Sequence, residues 1–144
     1  MTQRPRFHLA FPVNDLEAAR RFYGEFLGCP TGRESADWID FDLFGHQIVA
    51  HLSPADCTPV EASAVDGKAI PVRHFGIILD YAAFDALAKR IEKAGIAFIV
   101  APYLRFEGKA GEQKTMFIRD PAGNALEFKA FRDDAMVFEK TLEH

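Results

Sequence analysis

Hydrophobic and polar positions alternate along FHLAFPV (7–13), so a strand is predicted with Phe7, Leu9, Phe11 and Val13 on one face. His8, Ala10 and Pro12 take the other face. The period then changes. Leu16, Ala19, Phe22, Tyr23, Phe26 and Leu27 recur at helical spacing over about 15–27. Asn14 or Asp15 can cap the start of this helix, and Gly28 suits its end. Three strand-like stretches follow: a weak one near 31–35, then WIDFDL (38–43) and QIVAHLS (47–53), with a tight turn at 44–46.

Residues 54–71 break the pattern with prolines, an alanine-rich stretch and Asp66-Gly67, and read as a linker or long loop. The order then starts again. RHFGIIL (73–79) predicts a strand with Phe75, Ile77 and Leu79 opposite His74, Gly76 and Ile78. A helix over about 82–94 carries Phe84, Leu87, Ala88, Ile91 and Ala94 before Gly95. Strands are predicted near 97–103, at 114–119 and at 125–131, with a polar loop at 106–113 and a sharp turn at DPAGN (120–124). The spacing from His8 to His74 is 66 residues, and from Gly28 to Gly95 it is 67. Matching offsets across a strand and the next helix indicate an internal duplication of a βαβββ unit. The predicted organisation is module 1 over about 6–53, the 54–71 linker, module 2 over 72–132, and a tail over 133–144.

Composition narrows the functional classes. The chain has 144 residues, 49% of them hydrophobic, enough for a core without disulfide staples. A net charge of −4 with no basic run argues against nucleic acid as a partner. Cys29 and Cys57 form no Cys-x-x-Cys pair and fit a reducing compartment. No apolar run is long enough to span a membrane, and MTQRPRFHLA lacks a signal-peptide core. A cytoplasmic protein is expected. Leu142-Glu143-His144 resembles the start of a purification tag and is set aside.

Strand parity picks out the candidate chemistry. His8 and His74 sit on the two opening strands; His51 and Glu127 sit on the two closing strands. Each is expected to face away from the helix-covered side. Imidazole nitrogens and carboxylate oxygens suit first-row divalent ions, and two histidines with one carboxylate leave coordination positions open. Singly, each has a plainer reading: a strand histidine usually packs or hydrogen-bonds, and Glu127 can pair with Lys129 or an arginine. Aligning Gly45 with Gly123 sets Val49, rather than His51, opposite Glu127. Asp40 and Asp42 read as a solvated or substrate-facing strand face, and His46 as a turn or pocket-edge residue. Arg105, Lys109 and Lys114 surround the polar loop and are candidates to attract an anionic group, Lys109 reading more simply as a loop charge. Trp38 is a further substrate-binding candidate. No phosphate loop, GxSxG elbow or HExxH stretch is present.

These stretches resemble the vicinal-oxygen-chelate superfamily, which includes glyoxalases, bleomycin resistance proteins and extradiol dioxygenases. The likeness is carried by FHLAFPVNDLEAARRFYGEFLG (7–28), RHFGIIL and FIRDPAGNALEFKAF (117–131), and extends from about residue 6 to 132. It implies an α+β fold in which two βαβββ modules form a cupped mixed sheet with helices on its outer face. It also implies one divalent metal ion (Fe(II), Mn, Zn or Ni) held by His8, His74 and Glu127. Glyoxalase-type members usually carry Glu or Gln near His51, so a glyoxalase I reaction is disfavoured. The implied activity is a metal-dependent dioxygenase or a glyoxalase-like lyase, isomerase or transferase acting on a small oxygen-bearing substrate. His51 and Tyr103 are then the proton carriers, or His51 is a fourth ligand. The alternative is a non-catalytic protein that sequesters a small molecule. Family members commonly pair the first module of one chain with the second of another, which implies a homodimer.

Overall fold

The protein is described by a computed structural model covering residues 4–58, 62–65 and 67–140. It begins with β1 (His8–Val13) and a helical segment that opens as α1 (Leu16–Ala19) and continues as a π-helical stretch, Arg20–Phe26. Asp15 caps it, its carboxylate accepting from the backbone N–H groups of Glu17 and Ala18. Then come β2 (Thr31–Glu34), β3 (Trp38–Leu43) and β4 (His46–Leu52). The sheet order is β1-β4-β3-β2, with β1 parallel to β4 and the other pairs antiparallel. The β3–β4 turn has positive φ at both Phe44 (52°) and Gly45 (88°), the geometry that follows the right-handed twist of a two-residue hairpin. The Asp42 carboxylate accepts from the Gly45 N–H at 2.6 Å and fixes that turn.

The second half repeats the plan. It contains β7 (Phe75–Leu79), α2 (Tyr81–Lys93), β8 (Phe98–Arg105), β9 (Gln113–Arg119) and β10 (Ala125–Phe131). The sheet order is β7-β10-β9-β8, again with only the first pair parallel. The predicted βαβββ duplication and α+β class are therefore present as two four-stranded mixed sheets.

The stretch read as a linker differs from expectation. It holds a short 3-10 turn (Pro54–Asp56) and two strands, β5 (Ala62–Val65) and β6 (Lys68–Pro71), which pair with each other. Alanine, lysine and proline have weak strand preference, so this hairpin owes its form to pairing rather than to propensity. In the tail a 3-10 turn spans Asp134–Met136, and residues 141–144, with the tag-like end, lie outside the described residues.

The chain divides into two compact units: Met1–Pro59 with Asp120–Asn124, and Val60–Arg119 with Ala125–His144. In the first, the Tyr23 ring is fully buried between Phe11 (5.2 Å) and Phe41 (5.4 Å), which marks the helix-covered face of that sheet. The Tyr23 hydroxyl donates to Asp120 at 2.7 Å. Asp120 also accepts from the N–H groups of Ala122 and Asn124, while the Asn124 amide donates to the Pro12 carbonyl. Burial and the neighbouring Asp120 carboxylate hold the Tyr23 phenol well above its ordinary range, so it stays a donor. In the second unit, α2 packs on β10 and β9 and buries Phe84, Leu87 and Ile91.

Candidate functional site

In the second unit, Lys114 marks which sheet face the helix covers. Its ammonium lies 2.8 Å from Asp85 of α2 and over the Tyr81 ring. Lys114 pairs with Ala130 in the β9–β10 register, so Leu126, Phe128 and Ala130 share that face and Glu127 points to the other. Lys114, expected as a substrate contact, instead sits on the helix-covered face bound to Asp85.

On the open face, His74 immediately precedes β7, and its Nε2 lies 3.3 Å from Glu127 Oε1. Its Nδ1 lies 2.7 Å from the Pro71 carbonyl. A carbonyl only accepts, so Nδ1 carries a proton; Nε2 faces Glu127 as a donor when protonated and is the edge that an ion would take on its deprotonation. Glu127 Oε2 accepts from the Thr115 hydroxyl at 2.5 Å, and Lys129 Nζ stands 4.0 Å away. The Glu127 carboxylate raises His74 above the ordinary histidine range, with burial opposing and the Pro71 carbonyl adding. Burial works to raise Glu127, but hydrogen bonds from His74 and Thr115 and the Lys129 charge outweigh it, and the carboxyl ends below its usual range. Two donors each about 2.1 Å from one ion at a tetrahedral angle stand about 3.4 Å apart, so the pair fits two corners of a divalent-metal site. The Phe117 ring meets His74 edge-on at 5.0 Å and limits its rotation.

Gly76 lies opposite Glu127 in the parallel β7–β10 register. A Cβ there would fall 1.6 Å from the Glu127 carbonyl oxygen, so only glycine allows this close approach. Tyr103 stands opposite Thr115 in the β8–β9 register, with Lys68 4.6 Å above its ring. It therefore shares a face with Glu127. Arg105 stands opposite Gln113, its guanidinium 5.1 Å from the Phe106 ring centre.

In the first unit, His8 is the first residue of β1 and pairs with Gln47 of β4. Its Nδ1 meets Gln47 Oε1 at 2.7 Å, and the Gln47 amide nitrogen faces Asp40 at 3.4 Å. Asp40 thus sets the amide's orientation, the amide oxygen takes the Nδ1 proton, and Nε2 of His8 is left with its lone pair. Both histidines are prepared in the same tautomer by different means. His51 pairs with Pro12 and with Trp38, whose ring centre is 6.4 Å away. It lies four residues along β4 from Gln47, about 13 Å at the usual strand rise, so the fold does not bring it beside His8. The registers equate Leu9 with Phe75 and Ile48 with Leu126, which makes Val49 the counterpart of Glu127.

Among the described residues, no three His, Cys, Asp or Glu side chains stand together as a metal-binding group. His74 and Glu127 meet in one unit, and His8 belongs to the other. The parity of polar residues flagged these three. Gln47, Thr115 and the Pro71 carbonyl were missed. Gln47 alone had a usable signal, as it shares its face with His51 in QIVAHLS.

A family model for the glyoxalase/bleomycin resistance protein/dioxygenase superfamily matches residues 7–128. The chain belongs to this superfamily. A solved glyoxalase/bleomycin resistance protein/dioxygenase from Alicyclobacillus acidocaldarius is 40% identical, with a TM-score of 0.75, covering 93% of this chain and 96% of that one. Virulence protein STM3117 of Salmonella typhimurium is 28% identical over 127 residues, 86% of this chain and 82% of its own length. The fosfomycin resistance protein FosX from Listeria monocytogenes shares the fold at 14% identity, with a TM-score of 0.70 over 94% of this chain and all of its own. In this superfamily member, no helix among the described residues is long and apolar enough to cross a membrane.

Proposed function

We propose that this superfamily member is a metal-dependent enzyme acting on a small oxygen-bearing organic substrate, with one divalent ion held by His8, His74 and Glu127. The observation that carries the reading is the His74–Glu127 pair at 3.3 Å, with His74 Nδ1 committed to a carbonyl. When bound, the ion supplies Lewis acidity, or oxygen activation, to two adjacent substrate oxygens. The residues around it have separate tasks. Thr115 and Lys129 hold Glu127 charged, and Gln47 holds the tautomer of His8. Tyr103 shares the Glu127 face and is the proposed proton carrier at its phenol oxygen. His51, beside Trp38, is a second proposed proton carrier. The reaction class is a dioxygenase-like or a lyase, isomerase or transferase step.

His8 is proposed to come from the first module of a second chain in a homodimer. Mixing His8→Ala protein with Glu127→Ala protein, with subunit exchange, tests both ligands and source. Each mixed dimer is expected to recover one metal site of its two, and the remaining homodimers none, read by elemental analysis of the separated mixed dimer. Full metal retention in either single variant removes that residue from the ligand set. No recovery on mixing places all three ligands in one chain. Metal-free protein that still binds small aromatic ligands without turnover supports the sequestering alternative instead.

A further inference from the structure

The first module contains a cavity of about 450 Å³ on the open face of its sheet, lined among others by Arg6, Arg33, Asp40, Asp42, His46 and Gln47. That volume falls within the range of small-molecule sites. We propose that this cavity binds one small oxyanion, the carboxylate or equivalent monoanionic end of the substrate; the assignment to a substrate rests on the metal-site reading above.

Hydrogen-bonding capacity carries the argument. Among the described residues, neither Arg6 nor Arg33 has a carboxylate partner. Glu34, next to Arg33, is committed to Arg20 at 2.7 Å. Arg33 lies where the β2–β3 register shifts between Thr31 and Glu34, an irregularity of the kind that re-aims a side chain. The cavity's acidic and amide groups each have a polar partner within the module: Asp42 takes the Gly45 N–H, Asp40 faces the Gln47 amide, and Gln47 Oε1 faces His8. His46 Nδ1 accepts the Phe7 N–H at 3.0 Å, so the neutral ring carries its proton on Nε2 as a donor. The cavity's donors without a carboxylate partner among the described residues are two guanidinium groups and an imidazole N–H. Gly32 leaves the floor open, since a Cβ there would press on the Asp40 Cβ at 3.3 Å. The two arginines offset the two aspartates in formal charge. A single anion that meets a guanidinium through two hydrogen bonds is therefore favoured over a polyanion. Gln47 lines the cavity and also holds His8, so an anion anchored here leaves the rest of its molecule beside His8.

Benzoate is the probe, benzamide its neutral isostere and inorganic phosphate the multiply charged control, each titrated into metal-free full-length protein while backbone amide resonances are followed. Benzoate is expected to shift Thr31, Gly32, Arg33, Gly45 and His46 saturably, with benzamide and phosphate much weaker. Arg6→Gln and Arg33→Gln should each weaken benzoate by about tenfold or more, the loss expected for a charge-assisted hydrogen bond. Arg33→Lys should recover only part. Equal shifts with benzamide, no saturable shift with benzoate, or undiminished binding in the double Gln variant would overturn the proposal. His8→Ala separates it from the metal reading: metal should be lost and benzoate binding kept. Retained metal in that variant sinks the metal assignment and leaves the oxyanion pocket standing.

Discussion

The two sheets share strand order and pairing, yet they treat their open faces differently. The first lays a neutral pair, Val49 and Ala10, at the positions where the second has Glu127 and Gly76. In the second, a half-buried carboxylate is satisfied by a histidine, a threonine hydroxyl and a lysine, and the neighbouring strand needs glycine to approach it. In the first, the histidine is served by a glutamine, and the charged side chains gather at the cavity instead. Duplication supplied two equivalent frames. Divergence set a carboxylate, Glu127, beside the histidine in one and an amide, Gln47, beside the histidine in the other.

The comparison breaks most sharply at Gly76. Gly76→Ala forces a Cβ into the Glu127 carbonyl, and overpacking of this kind costs about 1–3 kcal/mol or more. The reverse change at the equivalent position, Ala10→Gly, should cost only about 0.5–1 kcal/mol. Denaturant unfolding of both variants checks the asymmetry; equal losses would mean that the two strand approaches are alike. Gln47→Ala comes next. With His8 as a proposed ligand, removing the group that holds it is expected to lower metal affinity about 10- to 100-fold. Titration of metal into the variant should show that loss without a matching loss of thermal stability, because Gln47 is exposed. Tyr23→Phe has the smallest expected effect on the site. It removes a buried hydrogen bond to a carboxylate, at about 1–3 kcal/mol of stability, and should leave metal affinity unchanged.

Periodicity made the duplicated strands and helices legible, because each buries one face and leaves the other polar. Asp15 as a cap followed from its side-chain chemistry. The π-helical stretch Arg20–Phe26 did not show, since the same apolar residues satisfy either winding. The β5–β6 hairpin was hidden by its composition. In QKTMFIR polar residues occupy both faces, so parity alone could not send Lys114 to the helix and Thr115 to Glu127. The Pro71 carbonyl that fixes the tautomer of His74 is backbone, and any residue would offer it.

The turn Asp120–Asn124 has a consequence for synthesis. It lies late in the chain but belongs to the first compact unit, where Asp120 receives the Tyr23 hydroxyl from 97 residues earlier. At about 5–20 residues per second, roughly 5–20 s of translation separate the two partners. Throughout that interval a nascent first module has its most buried phenol without its native acceptor. The first unit therefore cannot reach its finished form until Asp120 has emerged, long after its own strands have been made.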